Sequence, residues 1–413
     1  MALLLALIGV LFFVGHGLAP ANVLLTLLSL VLVASVFTRG LPKVHLRETW
    51  PYLAYLAALT VSLAASRTTP SLLEFGRQLL FLAVVFAVAR TVRDDRQQRL
   101  VVAVLAVCAM IVISQALLFA WQSEQAERLV RYPVVPQWSG YPELGLLAAV
   151  FASGALALAL FDRAVRFRLS AAYLAAFFTI GSVFLYSRSA WVTIAVTAVW
   201  LAAIGLVNVS VRRTVIVLGL LGVVALGTSL WFVPTGAARD RLAAIVGAQE
   251  TADRVLGWRT SLTMLRDHPI VGVGPGMYRE RYDAYRPVDA LALDRAPSEL
   301  ERDRSHAYNM ILHVAAELGL LGLLGFLAMW GRILWIGLVA NPDARSLALA
   351  THAMLVAFFI RSQSEHFLAN LEASHRLLLM LAVLFGLAEG IRAGSLQRAG
   401  LSSHRRGSSH RRG

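Results

Sequence analysis

Four residues hold most of the chemistry that this chain's sequence offers: Arg188, Arg254, Arg259 and His306. Arg188 sits in Tyr186-Ser187-Arg188-Ser189-Ala190-Trp191, between two apolar runs with almost no polar sequence separating them. A guanidinium at a membrane edge costs free energy unless it is paired or hydrated. It is therefore either a snorkelling or ion-paired structural residue, or an anion site, because its fork of donors suits a phosphate. Arg254 and Arg259 lie in a charge-dense segment, where the ordinary fate of an arginine is a solvated salt bridge. His306 stands just before Asn309 and the next apolar run. An isolated histidine is more often structural, but imidazole titrates near physiological pH and can take a proton from a hydroxyl. His306, His313 and Glu317 lack the spacing of a metal motif such as HExxH. Glu301-Arg302-Asp303 is the nearest acid pair, and its alternating charge reads as a solvated face. Arg361, Glu365, His366 and Glu372 crowd a later loop, but no spacing rule singles them out. The set favours metal-free chemistry on a phosphate-bearing substrate.

The elements that must position these residues are membrane spans. Of 413 residues, 58% are hydrophobic and only 15% charged, against about half and a quarter in soluble domains. That excludes disorder, collagen and a simple soluble enzyme. Apolar runs fall at roughly 2–18, 20–38, 50–66, 72–91, 98–121, 141–161, 169–186, 188–207, 212–233, 310–339, 345–362 and 373–392, about twelve helices by length. The run 310–339 is long enough for one tilted helix or one with a kinked entry. The first run has no preceding positive charge and no small-residue cleavage site before Pro20, and reads as a retained span. Cys108, the single cysteine, lies inside an apolar run, so neither an intramolecular disulfide nor a cysteine zinc site is available.

Charge sets the orientation. The net charge is +14. Taken as alternate loops, one set with the C-terminal tail holds nineteen basic residues, and the short loops of the other hold only Arg67, Arg128, Arg131 and Arg188. Positive charge marks the cytoplasmic side. Both termini are then expected inside, and the loops 122–140, 234–309 and 363–372 outside. The excess records topology, and nucleic acid drops out as a partner. The expected divisions are residues 1–233 with nine spans, a cap over 234–309, spans over 310–392, and a basic, disordered tail from 393 to 413.

The cap holds 11 Arg and 11 Asp or Glu. So dense a balanced mixture predicts a folded, salt-bridged unit rather than a linker. Asp253 to Arg266 has helical spacing, stopped by Asp267-His268-Pro269. Gly272-Val-Gly274-Pro-Gly276 follows. A dinucleotide loop needs a strand before it and a helix after it. The glycines are read instead as a tight turn with close backbone approach.

Three places together resemble the O-antigen ligase and polymerase superfamily. They are Ser187-Arg188 opening a span; Arg254-Val-Leu-Gly-Trp258 followed by Asp267-His268-Pro269-Ile-Val-Gly272-Val-Gly274-Pro-Gly276; and His306-Ala-Tyr-Asn309 followed by Ala316-Glu317-Leu-Gly319-Leu-Leu-Gly322. The resemblance covers roughly 180–330. It implies a GT-C-like, all-α integral membrane protein of the bacterial inner membrane with one large, mostly helical periplasmic loop between spans nine and ten. It implies inverting transfer of a glycan from undecaprenyl diphosphate to an acceptor hydroxyl such as lipid A-core, with no cofactor, nucleotide sugar or metal. Arg188 and Arg254 would neutralise the diphosphate, with Arg259 as second choice to Arg254, and His306 would be the general base. The family often has His directly before Asn, where this chain has Tyr308; His306 matches an earlier histidine found in many members. The motifs do not separate a ligase from a polymerase. A flippase would carry polar, broken helices at the midplane of several spans, whereas here polarity gathers in the cap.

Overall fold

A computed structural model describes residues 46–122, 141–185, 187–207, 248–287, 306–339, 345–365 and 374–409. Among them there is helix and no strand. The helices are α1 (Leu46–Ser66), α2 (Thr69–Thr91), α3 (Asp95–Gln122), α4 (Tyr141–Phe161), α5 (Val165–Phe184), α6 (Arg188–Val207), α7 (Ala248–Asp267), α8 (Tyr278–Tyr285), α9 (Met310–Leu338), α10 (Arg345–Arg361) and α11 (Ser374–Ser409).

Seven of the described helices are long and apolar enough to cross a membrane, and α10 carries a shorter apolar run. The expected spans 2–18, 20–38 and 212–233 lie outside the described residues. Each of the others coincides with a helix to within a few residues, except at the C-terminal end of 373–392. Boundaries follow local chemistry. The Thr68 hydroxyl caps α2 by accepting from the Ser71 N–H at 3.3 Å, with Pro70 in the first turn. Asn309 caps α9 the same way, accepting from the Leu312 N–H at 3.0 Å. α11 does not stop at residue 392. Its helical backbone runs on to Ser409, through residues expected to form a disordered tail. Leu, Gln, Arg and Ala are good helix formers, and extending an existing helix needs no new nucleus.

α4 packs against α5, α6 and α10, α11 against α2, and α9 against α1. The core between them is apolar: Trp330 lies edge-on to Phe385, with ring centroids 5.0 Å apart. The outward faces are apolar too. Leu73, Val199 and Leu324 are at least 65% exposed, as a lipid-facing surface requires. Some charged groups inside the bundle are paired across helices. Arg332 on α9 makes a two-pronged ion pair with Glu389 on α11 at 2.6 and 2.8 Å, and the Tyr52 hydroxyl on α1 donates to the same carboxylate at 3.0 Å.

Contacts between helix ends gather the described connections at two ends of the bundle. At one end Arg99 ties α3 to the α4–α5 turn through Asp162 at 2.7 Å. At the other end lie the α1–α2 and α5–α6 turns, the start of α9 and the end of α10. The cap helices α7 and α8 sit at this second end.

Candidate functional site

The cap is held by an exchange of backbone hydrogen bonds. α9 is broken at Gly319, where φ is 65° and ψ −166°, so the kinked entry is the correct form of the 310–339 run. In an unbroken helix the N–H groups of Leu320 and Leu321 would bond the carbonyls of Ala316 and Glu317. Instead the loop after α7 satisfies both sides of the break. The N–H groups of Val273 and Gly274 donate to Ala316 and Glu317 at 3.0 and 2.9 Å, and those of Leu320 and Leu321 donate to Pro269 and Ile270 at 2.8 and 3.2 Å. Two glycines permit the approach. A Cβ on Gly272 (φ +67°) would overlap the Glu317 carbonyl, and one on Gly319 (φ +65°) would overlap that of Ile270. Gly274 and Gly276 also have positive φ. The tight turn predicted from the glycine spacing is present.

Glu317 completes the joint. Its carboxylate accepts from the N–H groups of Gly276 and Tyr278 at 2.9 and 3.0 Å, capping the start of α8. The Ser62 hydroxyl of α1 donates to the Val271 carbonyl at 2.7 Å. Gly272→Ala is expected to cost more than about 2 kcal/mol, because the added Cβ meets left-handed strain and backbone at once. A lower thermal midpoint in detergent and faster proteolysis within 248–287 would report it; an unchanged midpoint would contradict the joint.

This joint fixes α7 over the entrance of α9. Gly257 of α7 faces Ala307 and Tyr308, whose carbonyl oxygen and ring atoms would lie 3.4 Å from an added Cβ. Just before Ala307, the buried His306 directs Nε2 at Glu365 Oε1, 2.6 Å away. The Tyr308 ring lies 4.6 Å from that of His306, on a backbone with φ +53°. The end of α10 is bound to the start of α9. The Met310 N–H donates to the Ser362 carbonyl at 2.9 Å, and the Asn309 amide to that of Gln363 at 3.3 Å.

Two arginines act on Glu365. Arg361, only 2% exposed, donates to Ser364 Oγ at 2.9 Å and to the Pro142 carbonyl at 3.2 Å. Arg254 lies one turn before Gly257, half-buried, and its charge reaches Glu365. Burial pushes the Glu365 carboxyl up, but the hydrogen bond and charge of His306 and the charges of Arg361 and Arg254 outweigh it. Glu365 is held below its ordinary value. Arg259 comes five residues after Arg254, about 140° further round the helix, and is exposed.

Arg188 opens α6, half-buried. The α5–α6 turn is tight. The Ser187 carbonyl accepts from the N–H groups of Ala190 and Trp191, and the Trp191 indole donates to the Ser182 carbonyl at 2.9 Å. Ser187 is buried against Gly145 in α4. The first turn of α4 therefore has Ser187-Arg188 at Gly145 and Arg361 at Pro142. The structure brings Arg188, Arg254 and His306 to one end of the bundle, with His306 hydrogen-bonded to Glu365 and the charge of Arg254 felt there. Arg259 is exposed on α7. Glu301, Asp303, His366 and Glu372 lie outside the described residues. Glu365 is the residue that spacing could not single out, since 59 positions separate it from its histidine partner. The only signal was its place in a charged loop between two late spans.

A bundle of membrane-spanning helices with a glycine-locked helical cap over an arginine- and histidine-lined end defines the class as an integral membrane protein with its polar site at one face. Residues 172–327 match the family model described as O-antigen ligase, so this stretch is the region shared by the O-antigen ligase and polymerase superfamily. The match supports a ligase- or polymerase-type function. The matched stretch contains Arg188, the cap and the broken start of α9, and ends before Arg361 and Glu365. Among curated proteins no match is found.

Proposed function

We propose that the protein is an O-antigen ligase-type glycosyltransferase that moves a glycan from undecaprenyl diphosphate to an acceptor hydroxyl, such as that of lipid A-core, at the periplasmic face of the inner membrane. The observation that carries this is a buried imidazole hydrogen-bonded to a carboxylate and set beside cap and bundle arginines. His306 takes the proton of the acceptor hydroxyl. The acceptor oxygen forms its bond to the anomeric carbon from the face opposite the leaving group, which inverts the centre. The bond from that carbon to the diphosphate breaks, and undecaprenyl diphosphate leaves with the electron pair. Arg188 and Arg254 stabilise the charge that develops on it, as fixed cations do best in a water-poor site. Arg259 is the second choice to Arg254, whose half-buried position favours it. The arrangement assigns no step to a metal. Transfer is expected to persist in EDTA; loss of activity that added divalent ion restores would contradict a metal-independent reaction.

A polymerase of the same superfamily would run the same chemistry with a second lipid-linked glycan as acceptor. The test is a deletion strain. Lipid A-core without O-antigen, reversed by the intact gene, is the expected result. Core capped with a single repeat unit would make the protein a polymerase. Lipid-linked glycan retained in the cytoplasmic leaflet would make it a flippase.

A further inference from the structure

We infer that Glu365 is a positioning residue of this site, fixing the His306 ring through Nε2 and supplying the counter-charge to the imidazolium that forms as the acceptor's proton is taken. The inference rests on the proposed role of His306 as base. The contact between the two side chains is 2.6 Å, short for a nitrogen–oxygen pair and in the range of charge-assisted hydrogen bonds. The chain leading into the carboxylate is held in place residue by residue. Arg361 fixes Ser364 beside it, and the Ser362 and Gln363 carbonyls are bound by Met310 and Asn309. A carboxylate anchored in this way holds the imidazole with a proton on Nε2. The acceptor's proton must then enter at Nδ1.

Arg361 is buried and bonded to Ser364 and the Pro142 carbonyl, which holds the chain that carries Glu365. The charge of Glu365 falls on the imidazolium that forms as the proton is taken. This is the logic by which a carboxylate orients and stabilises a histidine base.

The test uses the full chain in lipid nanodiscs, with lipid-linked glycan and lipid A-core both extracted from the deletion strain. Glu365→Gln keeps an acceptor for Nε2–H but removes the charge. It is expected to lower kcat by roughly 10- to 100-fold while leaving donor KM within about twofold, since a residue that acts through the base does not hold the donor. Glu365→Asp keeps the charge and is expected to recover part of kcat. A Glu365→Gln kcat within about twofold of the parent would overturn the inference. So would a raised donor KM, or an aspartate variant no better than the glutamine one. His306→Ala, assayed alongside, separates the two levels. If it is active, the assignment of the base fails; if it is inactive while Glu365→Gln is normal, only the role of Glu365 fails.

Discussion

His306→Ala is expected to abolish glycan transfer, with a loss on the order of 10²- to 10⁴-fold, the usual contribution of a positioned general base. The protein should still accumulate in the membrane. The ring is buried beside the joint of the cap and α9, but that joint is made by the backbone of residues 269–274 and 316–321 and by Glu317. The alanine leaves Glu365 buried without its imidazole partner, so the comparison needs His306→Gln as well, which keeps a donor near the carboxylate without supplying a base. Both variants inactive and both present in the membrane is the expected result. Tyr308→Phe is the matched control. Tyr308 occupies the position before Asn309, its ring lies 4.6 Å from that of His306, and only its hydroxyl is removed. Retained transfer in Tyr308→Phe and none in His306→Ala assigns the base. The reverse pattern would move it to the tyrosine.

Arg188→Ala is expected to lower transfer by at least about 10²-fold, the scale seen when one fixed donor to a developing anion is removed. Helix stability does not account for this arginine. At the first position of α6 its charge opposes the helix macrodipole. Replacement by alanine therefore leaves α6 no less stable on that count, and hydrogen bonds among Ser182, Ser187, Ala190 and Trp191 close the α5–α6 turn. The same geometry suits an anion, since the helix N-terminus and the arginine both attract negative charge. Arg188→Lys is expected to recover only part of the activity, because an ammonium cannot grip two phosphate oxygens as a fork does. Wild-type transfer by the alanine variant in the complemented deletion strain would remove Arg188 from the diphosphate site.

Much of this was legible in the sequence. Apolar runs of span length marked the helices, because a segment crossing lipid must satisfy its backbone internally and face apolar surroundings all round. The helix through Arg254 and its stop at His268-Pro269 followed from periodicity and from proline's restriction of the residue before it. Gly272, Gly274 and Gly276 announced a turn that needs positive φ. None of these signals said what the turn would meet. Gly272 is permissive only because Glu317 crosses it, and Gly319, which reads as an ordinary glycine inside a long apolar run, is the break that receives the loop. Two segments more than forty residues apart in the chain have to be placed together before either glycine has a partner.

The same division runs through the site. The sequence by itself determined the class of protein, the spans, and the candidates Arg188, Arg254, Arg259 and His306, because hydrophobicity, loop charge and motif order are properties of the chain. Only the tertiary structure distinguishes the burial of Arg254 from that of Arg259. Five residues along a helix is a turn and two-fifths, which puts Arg254 within electrostatic reach of Glu365 and leaves Arg259 exposed. Only the tertiary structure gave His306 its carboxylate. Glu365 reaches it because the end of α10 is hydrogen-bonded to the start of α9. Pairing of that kind depends on distance in space, and local spacing rules carry no information about it.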